Sequence, residues 1–377
     1  LPPPGLSGPV PLVPAAAEAP PLKRPNVVII LADDLGIGDV SPTSAGCKIK
    51  TPNLATMAAS GMTFMDAHST SAVCTPTRYG LLTGRYNWRS RLAKGVLNVN
   101  CGRLIPADRA TIGHLMGEQG YATAAIGKWH LGLDWSRAGG ETGGAIDFKG
   151  PVTNGPDING FGHYHVLPAS LDMAPYVWVE SGEVTGQPDR REGVTRQEDR
   201  YGWYREGAVG EDFVIEEALP HLVAEACRFI GERAPAARDG DPFLLYLPLP
   251  SPHTPIVPVP PFEGASEMNP YADFVMQVDH HVGQVLAALE AGGVADNTLV
   301  IFTSDNGPAI VQLLEEVVKS LKVSAVDKAM WEHPAPYDST GNIAADNAVT
   351  QVHGLLGTHK RALDGHISKS IPREHPM

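Results

Sequence analysis

Two pairs of oxygen-bearing side chains stand directly after apolar segments, where they could hold a metal ion. Asp33 and Asp34 follow one such segment, and Asp305 and Asn306 follow another. Each pair taken alone is better interpreted as an ordinary turn or helix cap. Together they offer three carboxylates and an amide carbonyl, an oxygen-only set that suits Ca²⁺ or Mg²⁺ rather than zinc. Without a cation, three crowded carboxylates would repel one another and raise their pKa values.

Three basic side chains could bind an anion near that edge. Lys128 and His130 stand two residues apart, so on an extended chain their side chains share one face. His253 lies between two prolines, whose restricted backbone would hold its ring in place. A lysine beside a histidine suits an anion that must also exchange a proton. A surface lysine with a packed histidine, and a capped loop histidine, are the alternative interpretations.

Cys74 begins the segment that is most specific for chemistry, Cys-Thr-Pro-Thr-Arg. Pro76 fits the first turn of a helix, which puts Cys74 at or near the helix N-terminus and Arg78 about one turn further on. The amides of that terminus and the guanidinium would together favour negative charge at Cys74. An inert buried cysteine and a redox-active thiolate are the other interpretations.

These clusters need a scaffold that brings segment ends together. Apolar runs predict four strands, at 27–31, 122–126, 243–247 and 298–303. Capping signals and periodicity predict four helices, opening at 51–52 and lying at 111–119, 221–233 and 271–289. Strands that alternate with helices predict an α/β fold with a mostly parallel sheet, in which functional groups gather past the carboxyl ends of the strands.

Composition divides the chain into segments of different character. Residues 1–24 are Pro-rich and are predicted to lack regular structure, ahead of a domain over 25–377. Residues 136–210, rich in Gly, Pro and charge, are interpreted as an insertion near the substrate cleft. The small residues 15–19 resemble a signal-peptidase site and predict export to the periplasm or the medium, although a linker would look similar.

Bulk properties narrow the possible partners. The net charge of −13 argues against nucleic-acid binding. No apolar run is long enough to span a bilayer. The four cysteines include no CxxC pair, which excludes a disulfide scaffold and a zinc site.

The run from Cys74 to Arg85 resembles the signature by which sulfatases are recognised for conversion of a cysteine to formylglycine. Cys74-x-Pro76-x-Arg78 is continued by Leu-Thr-Gly-Arg. The resemblance extends over about residues 25–308, through the segments 25–34, 51–54, 127–132, 252–255 and 304–307. It implies an alkaline-phosphatase-like α/β/α sandwich and an arylsulfatase-type sulfuric ester hydrolase. A formylglycine-generating or equivalent maturation enzyme would be a partner.

The resemblance also implies a role for each site residue. Ca²⁺, or less typically Mg²⁺, would be held by Asp33, Asp34, Asp305, Asn306 and the modified Cys74. Arg78 would orient formylglycine 74, and His130 would serve this nucleophile. Lys128 and His253 would bind sulfate oxygens, with His253 as the proton donor to the leaving alcohol. Lys360 is the candidate for a second sulfate-binding lysine.

The remaining segments leave the substrate and some alternatives open. Residues 86–91 add aromatic and guanidinium groups near the expected cleft, which favours a sulfated carbohydrate, unless Trp88 only packs a helix end. Residues 357–366 depart from the family pattern, and the small antiparallel subdomain that usually follows is expected to be missing or curtailed. A truncated anion-binding homologue without catalysis is therefore one alternative. A phosphonate or phosphate ester hydrolase of the same superfamily is another, because related enzymes share the metal site and sometimes the Cys-x-Pro-x-Arg motif.

Overall fold

A seven-stranded sheet organises the protein, seen in a computed structural model that describes residues 24–140, 144–194 and 201–308. Its strands are β1 (Asn26–Ala32), β2 (Ala122–Lys128), β3 (His163–Leu167), β4 (Val179–Glu180), β5 (Glu183–Val184), β8 (Phe243–Pro248) and β9 (Thr298–Ser304). A separate hairpin comprises β6 (Pro188–Val194) and β7 (Tyr204–Gly210). The helices are α1 (Pro52–Ala59), α2 (Cys74–Thr83), α3 (Ile112–Glu118), α4 (Ala218–Arg238) and α5 (Pro270–Ala291).

The order of the strands puts β1 between β8 and β9, with β2 on the other side of β8. The sheet runs β5-β4-β3-β2-β8-β1-β9, and the five strands from β3 to β9 in this order are mutually parallel. β4 and β5 extend the sheet in antiparallel fashion. The predicted mostly parallel α/β sheet is confirmed, and the carboxyl ends of β2, β8, β1 and β9 meet at one edge.

Alternate residues of β1 pack into two separate cores. Val28 and Ile30 join the core that contains the apolar faces of α4 and α5. Ile29 and Leu31 join the opposite core, which contains Tyr79 of α2. A strand buried on both faces needs apolar residues at every position, because each side chain meets a helix layer. The uninterrupted run in the sequence reflects this sandwich.

The range 136–210 does not leave the core as far as expected. It contributes β3, β4 and β5 to the main sheet, and only the β6–β7 hairpin forms a sheet of its own. The interpretation as an insertion missed β3 because this strand is short and carries two histidines, His163 and His165. β3 matters for function, since its carboxyl end lies beside that of β2.

The structure also addresses the cysteines and the membrane. All four cysteines lie among the described residues, and none forms a disulfide. Within the described ranges, no helix has the length and apolar character needed to cross a bilayer. The Pro-rich segment up to residue 23, Lys360 and the expected C-terminal subdomain lie outside the described residues.

Candidate active site

Four strand ends bring the predicted site residues together. Asp33 follows β1, Asp305 follows β9, Lys128 ends β2, and His253 lies in the loop after β8. The backbone N–H of Asp305 donates to the Ala32 carbonyl at 3.0 Å, which aligns the ends of β9 and β1. The convergence follows from the parallel arrangement, since residues far apart in sequence leave the same edge of the sheet.

Arg78 is fully buried and joins three of these strand ends. Its guanidinium donates to the Lys128 carbonyl at 2.7 Å, to Asp33 Oδ2 at 2.8 Å and to Asp305 Oδ2 at 2.9 Å. Burial would lower the pKa of Arg78, but the carboxylates of Asp33 and Asp305 outweigh it and raise the pKa. The guanidinium therefore stays charged where no water can solvate it.

Cys74 begins α2, as the position of Pro76 predicts, and is buried. Burial and the neighbouring Asp33 raise the pKa of the thiol above its ordinary value, and these effects outweigh Lys128 and His253. The expected preference for negative charge at Cys74 is thus wrong for the unmodified side chain. The helix N-terminus lies among carboxylates and in a dry environment, and both disfavour a thiolate.

Lys128 lies against Asp33 and is as deeply buried as Arg78. Its ammonium forms an ion pair with Asp33 Oδ2. Burial would raise the pKa of Asp33, but Lys128 and Arg78 lower it well below its ordinary value. Burial would likewise lower the pKa of Lys128, whereas Asp33 and Cys74 raise it. Asp33 and both cations are consequently charged at neutral pH.

His130 is a neutral imidazole, and one of its two ring nitrogens has no hydrogen-bond partner among the described residues. Its Nε2–H donates to the Leu97 carbonyl at 3.0 Å, and its Nδ1 is buried without a hydrogen-bond partner among the described residues. Burial and the charge of Lys128 lower the pKa of His130 to about 3. The chain turns left-handed at His130, with φ of 51°, so the extended backbone assumed for Lys128 and His130 ends before this residue.

His253 is the partly exposed member of the group. Its Nε2 lies 3.5 Å from Asp34 Oδ2, and its Nδ1–H donates to the Thr254 carbonyl. Burial and Lys128 would lower the pKa of His253, but Asp34 and Asp33 raise it well above the ordinary value. The imidazole is therefore protonated at neutral pH and faces the solvent-accessible side of the cluster.

The donor set fits a divalent cation. Ligand atoms of Asp33, Asp34, Cys74 and His253 all lie within 4.8 Å of one another. Within the part of the chain that the structure describes, the Oδ1 atoms of Asp33 and Asn306 are buried without hydrogen-bond partners, and each could coordinate a cation. Burial, reinforced by Asp33, raises the pKa of Asp34 and raises that of Asp305 to about 6. Carboxylates under such repulsion are stabilised when a cation binds.

Asp305 and Asn306 contact the residues of this candidate metal site in different ways. Asp305 uses Oδ2 for Arg78 and accepts the Asp34 backbone N–H with Oδ1 at 3.3 Å. The Asn306 amide donates to Asp34 Oδ1. The structure thus brings both residues to the predicted place, but both Asp305 oxygens already have partners, and His253 is closer to the other ligand atoms.

Two glycines at the end of β2 and in the turn after it occupy positions where a side chain would collide with the backbone of another segment. Gly127 has φ of 136°, and a Cβ there would lie 2.0 Å from the Pro248 carbonyl oxygen of β8. Gly132 has φ of 79°, and its Cβ would lie 2.4 Å from the Gly102 carbonyl oxygen. The motif Gly-Lys-Trp-His-Leu-Gly therefore encodes close backbone approach as well as Lys128 and His130.

The sequence analysis missed two site neighbours in the turn after β3. Ser170 and Asp172 are buried, and Ser170 Oγ and Asp172 Oδ1 have no hydrogen-bond partner among the described residues. Arg205 of β7 donates to the Asp172 carbonyl at 3.0 Å and pairs with its carboxylate. Burial would raise the pKa of Asp172, but His253 and Arg205 lower it. Polar residues after a strand were the available signal, lost because β3 was not recognised.

Residues 86–91 lie further from Cys74 than the sequence analysis expected. α2 separates them from the nucleophile position, because Cys74 is its first residue and Tyr86 follows its end at Thr83. A helix of this length spans about 15 Å. Trp88 is 58% exposed, so it does not simply pack the end of the helix.

Comparison with known proteins identifies relatives over most of the chain. A family model described as Sulfatase matches residues 25–346. The chain is 34% identical over 314 residues to an N-acetylgalactosamine-6-O-sulfatase of Bacteroides thetaiotaomicron, covering 76% of this chain and 60% of that protein. It is 32% identical over 303 residues to arylsulfatase A of Bos taurus, covering 77% of this chain and 53% of that protein.

Solved structures agree with this result. One, from work on the metabolism of multiple glycosaminoglycans by Bacteroides thetaiotaomicron, has a TM-score of 0.66 and 33% identity over 77% of this chain and 64% of its own. Another, solved in complex with k-i-k-neocarrahexaose, has a TM-score of 0.56 and 26% identity. The match covers 76% of this chain and 60% of that one. The chain thus spans between half and two thirds of the length of these four proteins.

Replacing Arg78 with lysine is expected to destabilise the protein strongly. The ammonium of a lysine has three donors on one nitrogen and cannot reach all three acceptors that Nη1 and Nη2 of Arg78 reach separately. At least one buried acceptor then loses its partner, at a cost of about 3 kcal/mol or more in the free energy of unfolding. Denaturant unfolding of Arg78→Lys measures this. Arg228→Lys is the matched control, because Arg228 pairs with two glutamates at an exposed position and its replacement should cost less than about 1 kcal/mol. Equal stability of both variants would contradict the structural role of Arg78.

Proposed function

Because the chain belongs to the sulfatase family, we propose that it hydrolyses the sulfate monoester of a carbohydrate to an alcohol and inorganic sulfate. The observation that carries the proposal is the arrangement of Cys74 beside Asp33, Asp34 and His253. Lys128, at the end of β2, and Arg78, in α2, both contact Asp33 in this group. The curated relative from Bacteroides thetaiotaomicron is named for the 6-sulfate of N-acetylgalactosamine. That ester is the first substrate we would test.

Cys74 serves this reaction after conversion to formylglycine by a maturation enzyme. The raised pKa of its thiol argues against a thiolate nucleophile at neutral pH. Hydrated, the aldehyde supplies two hydroxyls on one carbon, one to attack sulfur and one whose later deprotonation expels sulfate. Family membership and the Cys-x-Pro-x-Arg segment support this modification.

Lys128 and His253 act on the sulfate group. The buried ammonium of Lys128 offsets charge on the transferring group, and its pairing with Asp33 keeps it in position. His253, protonated because Asp34 and Asp33 raise its pKa, holds a proton at Nε2 that it gives to the leaving alcohol. Ser170, buried in the turn after β3 beside Asp172, is a further candidate donor to a sulfate oxygen.

His130 serves the nucleophile as a proton acceptor. The Leu97 carbonyl takes its Nε2–H, which leaves the Nδ1 lone pair as the basic atom. An imidazole whose pKa is lowered to about 3 is neutral and can accept a proton, although it is a weak base. Arg78 would then orient the modified residue one helical turn away while it holds the strand ends together.

A divalent cation, Ca²⁺ rather than Mg²⁺, completes the proposed site. Asp33, Asp34, Asp305, Asn306 and the modified Cys74 would hold it, with His253 close by. When bound, it supplies positive charge that favours an anionic ester. The unpartnered oxygens of Asp33 and Asn306 support this set.

Three further features of the chain are proposals that extend beyond the described residues. Lys360 would bind sulfate as the second lysine. Residues 25–377 would form the catalytic domain after the Pro-rich segment 1–24. Export to the periplasm or the medium would expose the protein to sulfated carbohydrates.

The proposal is tested first by activity together with mass spectrometry. Protein made in a host with the modifying machinery should hydrolyse 4-nitrophenyl sulfate and N-acetylgalactosamine 6-sulfate faster than the corresponding phosphate esters. The peptide containing Cys74 should carry an aldehyde in place of the thiol, and Cys74→Ala should lose at least about a thousandfold in kcat. Full activity with an unmodified thiol, or a preference for phosphate or phosphonate esters, would refute it.

Metal analysis tests the cation. Purified protein should contain one Ca²⁺ per chain, and Asp34→Asn should lose it because a charged ligand becomes neutral. Asp212→Asn, at a carboxylate that accepts from Thr185 in the loop before β6, is the control and should retain the ion. Stoichiometric zinc, or full activity in metal-free protein, contradicts the assignment.

Leaving-group dependence tests His253. A phenol with a low pKa needs little protonation when it leaves, whereas a sugar hydroxyl needs a proton donor. His253→Ala should therefore lower kcat for N-acetylgalactosamine 6-sulfate about a hundredfold more than for 4-nitrophenyl sulfate. His280→Ala, on the exposed face of α5, is the matched histidine control. An equal loss on both substrates would make His253 a binding residue without a role as acid.

A further inference from the structure

A long stretch of the chain around α2 lacks acidic residues altogether. Residues 67–107 contain no Asp or Glu, although the whole chain has a net charge of −13. The stretch carries six cationic side chains: Arg78, Arg85, Arg89, Arg91, Lys94 and Arg103. Arg78 lies inside the candidate active site, Arg103 donates to Asn154 Oδ1 at 2.9 Å, and Arg91 donates to the Arg103 carbonyl at 3.2 Å. The exposed cations of the stretch are Arg89, Arg91 and Lys94. Six cations without an acidic residue in the same stretch favour a locally positive potential around its exposed cationic side chains.

Two aromatic rings are displayed in the middle of this stretch. Tyr86 and Trp88 stack on each other with centroids 4.1 Å apart and an interplanar angle of 12°. They remain 48% and 58% exposed. The buried Asn87 between them anchors the turn, because its side chain donates to the Leu92 carbonyl at 2.9 Å and its own carbonyl accepts from Ser90. The rings are thus presented on a fixed turn rather than on a loose loop.

The stretch connects this aromatic pair with the candidate active site. α2 runs from Cys74 to Thr83, so the pair lies about 15 Å from the nucleophile position along the helix. The chain then returns, and at Leu97 it accepts the His130 hydrogen bond and donates its N–H to Thr75 Oγ1 at 3.2 Å. Between these points Arg89, Arg91 and Lys94 are exposed.

We propose that residues 85–97 form a secondary binding surface for a sulfated oligosaccharide whose terminal sulfate ester occupies the active site. This inference rests on the proposed sulfatase function and extends it from a single sugar to a chain. Tyr86 and Trp88 stack on a sugar ring several units away from the reacting ester. Arg89, Arg91 and Lys94 attract the sulfate groups on the sugars between that ring and the reacting ester.

The chemistry of this surface favours a sulfated sugar chain over other occupants. Flat, exposed aromatic faces pack against the C–H faces of pyranose rings, and their polar edges remain hydrated. Exposed cations bind single anions weakly, so a useful gain needs several sulfates on one chain. A second copy of this acidic protein would also be attracted to the cations. Its surface, however, lacks the regularly spaced sulfate groups that a sulfated sugar chain presents.

Binding without turnover tests the proposal. Cys74→Ala protein is titrated calorimetrically with a hexasaccharide and a disaccharide that both contain 6-sulfated N-acetylgalactosamine. We expect the hexasaccharide to bind at least about tenfold more tightly. Adding Tyr86→Ala and Trp88→Ala should reduce this ratio towards one, and adding Arg89→Gln should reduce the salt dependence of hexasaccharide binding.

Matched variants and the oligomeric state complete the test. Tyr121→Ala is the aromatic control, because Tyr121 also lies near an arginine, Arg24 at 5.6 Å, but at the amino edge of the sheet. Arg233→Gln on α4 is the cation control, on the opposite face of the sheet from α2. An unchanged ratio in the aromatic variant overturns the proposal. So does a wild-type oligomer that the aromatic variant converts to monomer, since the pair would then be an interface.

The two levels of the proposal fail in different ways. If the modified wild-type protein hydrolyses no sulfate ester, the proposed function is wrong. If it hydrolyses sulfate esters but the Cys74→Ala protein binds both oligosaccharides equally, only the secondary surface is wrong.

Discussion

Arg78 places a guanidinium with no solvent exposure at the junction of three strand ends. Removing such a charge from water is costly, and only well-directed hydrogen bonds offset the cost. The planar fork of arginine donates at once to the Lys128 carbonyl and to the carboxylates of Asp33 and Asp305, which lysine cannot do. The ends of β1, β2 and β9 are thereby fixed relative to the first turn of α2, and Cys74 is fixed with them.

The charges around this junction nearly balance before any substrate arrives. Asp33, Asp34 and Asp305 face Arg78, Lys128 and the protonated His253. An anionic ester entering this group would make its net charge negative, and burial, reinforced by Asp33, already raises the pKa values of Asp34 and Asp305. A divalent cation relieves both effects. This electrostatic argument, more than the geometry of four ligand atoms, is the reason to propose one.

Local sequence signals predicted the elements well, and contacts between them poorly. The apolar run of β1 and the proline after Cys74 predicted the strand and the start of α2, because both depend on neighbouring residues only. The engagement of Asp305 with Arg78 depends on the order of the strands, which no local pattern contains. The expectation at Cys74 considered the helix terminus and Arg78, but the thiol responds most to burial and to Asp33, which only the folded chain brings near.

Two residues at the site hold a backbone conformation that side chains disfavour. Asp34 and His130 have φ of 64° and 51°, and each is the second residue after a strand end. Such positions are strained and persist where surrounding hydrogen bonds enforce them. Here the N–H of Asp34 donates to Asp305 and that of His130 to the Pro168 carbonyl at 3.1 Å. Both turns direct a functional side chain back across the sheet edge, so the strain is concentrated where β9 and β3 can stabilise it. Glycine would relieve that strain but would remove the carboxylate and the imidazole from the site.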